Sequence, residues 1–147
     1  MTSKRVVSVS RIISAPREAI FHVLATPLLH PVIDGSGSVK APTHDPGTLS
    51  LGAKFGMAMN TGFGYKVQNT VSTFDEGTSI AWHHFAHFIW RYDLVDVDGG
   101  TKVTESFDYS NLLGIGLSLT SMPEKNRSNM EKTLERLDRY VTTGSAE

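Results

Sequence analysis

The chain has 147 residues, no cysteine and a formal net charge of −1 from 14 basic and 15 acidic side chains. Its basic residues are scattered, which excludes the cationic stripe that nucleic-acid binding needs. The missing cysteine excludes disulfides, thiolate metal sites and a cysteine nucleophile. Hydrophobic residues at 39% and charged residues at 20% fit one globular domain spanning residues 1–147. No apolar run is long enough for a membrane span. Lys4-Arg5 precedes an apolar stretch, but Ser8, Ser10 and Arg11 break it, so no secretory leader is expected and the cytoplasm is the expected compartment.

Arg5 to Ile13 is rich in β-branched residues and stops at Ser14-Ala15-Pro16, which predicts a first strand. Pro16 suits the first turn of a helix and Glu18 its positive end. Ile20, Val23 and Leu24 then share one face until Pro27. Leu28 to Ile33, with Pro31 inside, predicts a second short helix or turn, closed by the loop Asp34-Gly35-Ser36-Gly37. A short strand follows at Val39 to Ala41, then an irregular stretch marked by Pro42, Asp45-Pro46-Gly47 and Gly52.

From Lys54 the alternation becomes regular. Phe55, Met57 and Met59 face one way; beyond the turn at Thr61-Gly62-Phe63-Gly64, so do Tyr65, Val67, Asn69 and Val71. Phe74 breaks the phase and predicts a bulge. Ile80, Trp82 and His84 form the next strand, and Trp90 to Tyr109 forms a hairpin around Asp98-Gly99-Gly100. In its second arm Val103, Glu105, Phe107 and Tyr109 share a face. Glu105 is a carboxylate on the apolar side, costly unless something polar meets it.

Ser121-Met122-Pro123-Glu124 reads as a capping box. Beyond it Met130, Leu134, Leu137 and Val141 make one apolar stripe on a helix of some twenty residues, roughly 30 Å long. The polar first half of that helix (Lys125, Asn126, Arg127, Ser128, Asn129) predicts a sheet well plugged at one end and less filled at the other. Between strand and helix, the loop Asn111 to Leu119 mixes glycine with leucine and isoleucine. It either packs under the helix, forms a rim for ligand entry, or makes a homodimer interface.

The inward faces are aromatic-rich with polar tips, the make-up of a ligand pocket. The expected ligand-binding set is Met57, Met59, Tyr65, Asn69, Trp82, His84, Trp90, Tyr92, Glu105, Phe107 and Tyr109. The plainer alternative is a solid core in which those tips satisfy one another.

Ser10-Arg11-Ile12-Ile13-Ser14-Ala15-Pro16-Arg17-Glu18-Ala19-Ile20-Phe21 resembles the opening strand and helix of the START-like helix-grip superfamily. Ile80-Ala81-Trp82, Trp90-Arg91-Tyr92-Asp93-Leu94 and Gly100-Thr101-Lys102-Val103-Thr104-Glu105 are similar to the central strands of its bacterial SRPBCC, polyketide cyclase/dehydrase branch. The resemblance implies an α+β fold, a seven-stranded antiparallel sheet curled around a long C-terminal helix, with two short helices after the first strand. It also implies a deep cavity for lipids, polyketides or similar molecules, but no universal catalytic motif.

The favoured reading is therefore binding of a small hydrophobic ligand in an internal cavity, with no cofactor and no metal. The alternative is a cyclase/dehydratase-type enzyme in which Glu105 is the catalytic acid or base, assisted by Tyr109, Tyr65, Asn69 or His84. Against catalysis, Glu105 either pairs with a cation such as Arg127 or orients a tyrosine. A further alternative is a protein-interaction module with a vestigial cavity. His83-His84-Phe85-Ala86-His87 lacks a second ligand cluster and is expected to hold no metal, since only a bend near Phe85 brings His84 and His87 together. Asp34 to Gly37 and Gly62 to Gly64 are turns, not phosphate loops.

Overall fold

The computed structural model describes residues 4–84 and 86–147. Seven strands form one antiparallel sheet: β1 (Val6–Ile13), β2 (Val39–Pro42), β3 (Lys54–Asn60), β4 (Gly64–Asp75), β5 (Ser79–His83), β6 (Ile89–Val97) and β7 (Gly100–Asp108). Their spatial order is β1-β7-β6-β5-β4-β3-β2. From β2 onward each strand pairs with the next in sequence, while β1 closes the far edge against β7. Helices α1 (Arg17–Leu24) and α2 (His30–Ile33), with a 3-10 turn at Pro27–Leu29 between them, carry the chain from β1 to β2. A short α3 (Leu113–Leu117) leads to the 22-residue α4 (Met122–Thr143). The α+β helix-grip architecture and the two short helices after the first strand are as expected.

Local chemistry sets the boundaries. Pro16 is the residue before the first turn of α1, with φ −71° and ψ 151°, rather than inside it. The helix ends at Leu24, before Pro27, whose ring disfavours helical backbone in the residue ahead of it. The β6–β7 hairpin turns on Gly99 at φ 84°, a left-handed conformation that glycine adopts without steric cost. Gly144, at φ 86°, closes α4 and donates its N–H to Tyr140 O at 2.8 Å. The bulge lies between Val71 and Thr73, just before Phe74, where the β4–β5 register shifts.

One expectation fails at the start of α4. Ser121 makes no side-chain cap; its backbone is already helical, at φ −81° and ψ 0°. A capping side chain needs extended backbone beneath it to reach the free amides. Instead Thr120 Oγ1 accepts from the Met122 N–H at 3.2 Å.

The buried stripe of α4 is Met130, Thr133, Leu134 and Leu137, with Val141 half-buried. It packs on β1, β7 and α2, and so crosses only one flank of the sheet. The two ends of the concave face differ. Toward the end of β1 and the start of β7, Ile13, Ile20, Leu24, Ile80, Leu94, Val103 and Leu137 are fully buried. At the opposite end Met59, Tyr65, Val67, Trp82, Trp90 and Tyr109 are half-buried. No helix among the described residues is long and apolar enough to cross a membrane.

Candidate functional site

Glu105 decides the character of the concave face. It is 3% exposed. Alternation along β7 aims it inward, and register places Val9 of β1 and Tyr92 of β6 directly across from it. The Tyr92 hydroxyl hydrogen bonds to its carboxyl, yet Oε1 has no partner among the described residues. Burial, reinforced by the nearby charge of Asp34, lifts the carboxyl to about 8 against the opposing pull of the tyrosine hydrogen bond. At neutral pH it is largely protonated. Burial and the neighbouring Glu105 push the Tyr92 hydroxyl up as well.

Around this pair the aromatic side chains form two runs. Trp82 lies 5.9 Å from Tyr92, stacks on His30 at 5.1 Å and meets Phe55 edge-on at 5.3 Å. Trp90 lies 4.4 Å from Phe107, which in turn stacks on Tyr109 at 5.5 Å and takes the edge of Phe88. Cross-strand pairing sets Trp82 opposite Trp90, and Trp90 opposite Phe107. Offset and edge-on arrangements suit ring quadrupoles. On this face Met57, Tyr92, Glu105 and Phe107 are buried, while Met59, Trp82, Trp90 and Tyr109 are half-buried.

Of the other expected residues, Asn69 is buried opposite Phe55 on β4, and Tyr65 stands near the mouth, 5.4 Å from Phe63. Both sit three strands from β7, roughly 14 Å at ordinary strand spacing. Tyr109 lies four residues further along the chain, roughly 13 Å at strand rise. His84 follows the last residue of β5, and its Nδ1 accepts from the Ala86 N–H at 3.1 Å. None of these four is the hydrogen-bond partner of Glu105; Tyr92 is. Arg127 does not pair with Glu105 either: it bonds to Ser8 O at 3.2 Å and faces Glu124 at 3.6 Å.

In the histidine segment the His87 N–H donates to His84 O at 2.9 Å. His83 and His87 stack at 4.9 Å, with His87 at φ 57°, and burial lowers the His84 pKa with help from the two neighbouring rings. Phe85 lies outside the described residues. Among the described residues no group of three potential ligands could hold a metal.

Two residues carry signals that sequence patterning does not show. His30 sits in a four-residue helix too short for periodicity, yet it is buried against Trp82 and bonds through Nε2 to Leu24 O at 2.8 Å. Burial lowers it to about 4, so it is neutral at pH 7. Arg5 donates Nε to Tyr109 O and Nη2 to Ser110 O and Asn111 O, at 3.2, 2.9 and 2.8 Å, pinning the segment that leads into α3. In and just after that segment the surface is apolar: Leu112 and Leu119 are each 86% exposed, with Leu113 and Ile115 also uncovered.

The two clefts described lie elsewhere on the molecule. One of about 470 Å³ runs between the Asp34–Gly37 loop, β2 and α4; the other, about 280 Å³, lies between β1 and α4. None of the eleven expected ligand-binding residues lines either.

Residues 4–142 match the family described as polyketide cyclase/dehydrase and lipid transport. The chain belongs to this family, within the START-like helix-grip superfamily. Over 141 residues it is 30% identical to an uncharacterized protein of Mycobacterium tuberculosis strain H37Rv, covering 91% of this chain and 63% of that protein. The chain thus spans less than two thirds of the length of that relative. Among solved structures, the solution structure of an AHSA1-like protein from Aeromonas hydrophila matches with a TM-score of 0.73 at 19% identity, covering 97% of this chain and 96% of that one. A crystal structure from Nitrosomonas europaea matches with a TM-score of 0.75 at 14% identity, covering 95% of each chain. At those identities the likeness concerns fold. The family joins enzymes and lipid carriers, so it points to a ligand-binding domain.

Proposed function

We propose that this chain, acting as one domain, binds a small hydrophobic molecule along the aromatic part of the concave face, with the Tyr92–Glu105 pair as its polar anchor. The observation that carries this reading is the buried, unpartnered Oε1 of Glu105 on a face that also carries half-buried tryptophans. A buried polar atom without a partner costs about 1–3 kcal/mol. A ligand group that meets it recovers that cost, while the apolar remainder of the ligand contributes about 25 cal/mol per Å² buried. A protonated carboxyl is a donor, so the matching ligand group is an acceptor such as a ketone or ester carbonyl. The α3 segment pinned by Arg5, with its uncovered leucines, is the rim over which such a molecule enters.

Both tryptophans of the chain stand on this face, so intrinsic fluorescence reports occupancy directly. Titration with an apolar aryl ketone should quench it saturably, and native mass spectrometry of the gently purified protein should reveal a co-purified apolar compound. Glu105→Gln keeps a donor and should hold affinity within a few-fold; Glu105→Leu should lose about tenfold. No saturable quenching with any apolar probe, together with an empty protein by mass spectrometry, overturns the proposal.

The same pair supports a second reading, the cyclase/dehydratase type of activity. A carboxyl held near 8 beside a tyrosine hydroxyl can donate to a carbonyl, polarise it and return the proton. Turnover of a poly-β-ketone substrate that vanishes in Glu105→Gln, with binding retained, would distinguish catalysis from binding alone.

A further inference from the structure

The cleft of about 470 Å³ lies on the outer flank of α4, and it is lined by cations. Lys132, Arg136 and Arg139 fall at i, i+4 and i+7 on α4, one stripe beside the buried one, and Lys40 faces them from β2. Two carboxylates share the cleft, and both are engaged. Asp34 accepts from the Ser36 N–H and hydroxyl and from the Val39 N–H, at 2.8 to 3.1 Å. Glu135 accepts from Arg139 at 3.1 Å. Arg136 is held by two bonds from Nε and Nη2 to Val32 O, at 3.1 and 2.9 Å, so its charge is fixed in place. Lys40 and Lys132 make no ion pair among the described residues.

The opposite wall is built to lie close. A Cβ at Gly35 would come within 2.5 Å of Asn129 O and of Lys132 Cβ, so only glycine lets this loop rest on α4. The Gly35 N–H donates to Thr133 Oγ1 at 2.9 Å, which fixes the contact. The loop is a turn rather than a phosphate loop, and the cations around it are side chains. Of the two acids lining the cleft, Glu135 is paired with Arg139 and Asp34 is the one carboxylate without an ion pair among the described residues. A fixed guanidinium and two unpaired ammonium groups thus leave positive charge in excess around one concavity, which suits a compact multivalent anion. Its volume is in the range of small-molecule sites.

We infer that the cleft between the Asp34–Gly37 loop, Lys40 and the Lys132–Arg136–Arg139 stripe binds the phosphate group of a small soluble phosphate ester or diphosphate. This site shares no lining residue with the proposed hydrophobic site and does not rest on the hydrophobic-ligand reading, although Asp34 on its wall also acts electrostatically on Glu105.

The test is isothermal titration of the intact chain with inorganic pyrophosphate and with glycerol 3-phosphate at low ionic strength, alongside vesicles of phosphatidylglycerol. Saturable binding of either soluble phosphate is expected, weakened about tenfold or more in the double variant Lys40→Glu/Lys132→Glu. Both lysines are exposed, so the variant should melt as the parent does and quench with the apolar ketone as the parent does. Equal affinity in the double variant, no binding of either phosphate, or binding to vesicles alone would each overturn the inference.

Discussion

The two ends of the concave face share β5 and β6 but are covered unequally. At one end Ile13, Ile80, Leu94 and Val103 meet α1 and the second half of α4, and their side chains are removed from water. At the other end Met59 on β3, Trp82 on β5, Trp90 on β6 and Tyr109 just after β7 stay half-buried, and the first half of α4 is polar and offers no apolar stripe. The contrast teaches that the sheet is closed by packing at one end and less covered at the other, which is where the proposed ligand would lie, with the Tyr92–Glu105 pair between them.

Truncation tests that contrast most strongly. Leu94→Ala at the closed end should cost about 2–5 kcal/mol in urea unfolding, since a cavity is left in close-packed surroundings. Met59→Ala at the open end should cost about 1 kcal/mol and weaken ketone quenching. Equal losses would erase the distinction between the ends.

The pH dependence comes next. Glu105 is held near 8 in the folded chain and returns to 4.5 when unfolded, so its contribution to stability is full below 4.5 and is lost as pH rises through about 8. His30 runs the other way: held near 4 against 6.5 unfolded, its contribution is full above 6.5 and is lost as pH falls through about 4. The two slopes offset one another between 4.5 and 6.5, leaving a plateau, and Glu105 alone drives the decline above it. Glu105→Gln should flatten that decline, gaining about 2–4 kcal/mol relative to the parent between pH 5 and pH 8. Parallel pH–stability curves for the two proteins would contradict the buried, protonated carboxyl.

Smaller effects sharpen the picture at the mouth. Arg5→Ala removes three charge-assisted bonds to the carbonyls before α3. It should cost about 1–2 kcal/mol, with faster amide exchange in α3 and faster probe association. At the start of α4, Thr120→Ala should cost about 0.5–1 kcal/mol and Ser121→Ala close to nothing. The reverse order would restore the capping box.

Much of this is written in local pattern. Period-two alternation places Met57, Trp82, Trp90, Tyr92, Glu105 and Phe107 on one face because side chains on a strand alternate whatever lies around them. Counting outward from the Gly99 turn even sets Tyr92 opposite Glu105, a signal readable in the hairpin that individual residue roles do not reveal. Local pattern misleads where backbone geometry decides: Ser121 has the right neighbours for a cap but the wrong φ and ψ.

By itself, then, the chain determined its strands, its long amphipathic helix and the inward aim of one carboxyl, all consequences of short-range periodicity and hydrophobic burial. Only the tertiary structure decided which groups meet: His30 against Trp82, Arg5 on the approach to α3, and four cations around one cleft. Those encounters join residues far apart in sequence through the position of α4 and the β1–β7 closure, and no local spacing encodes such distances.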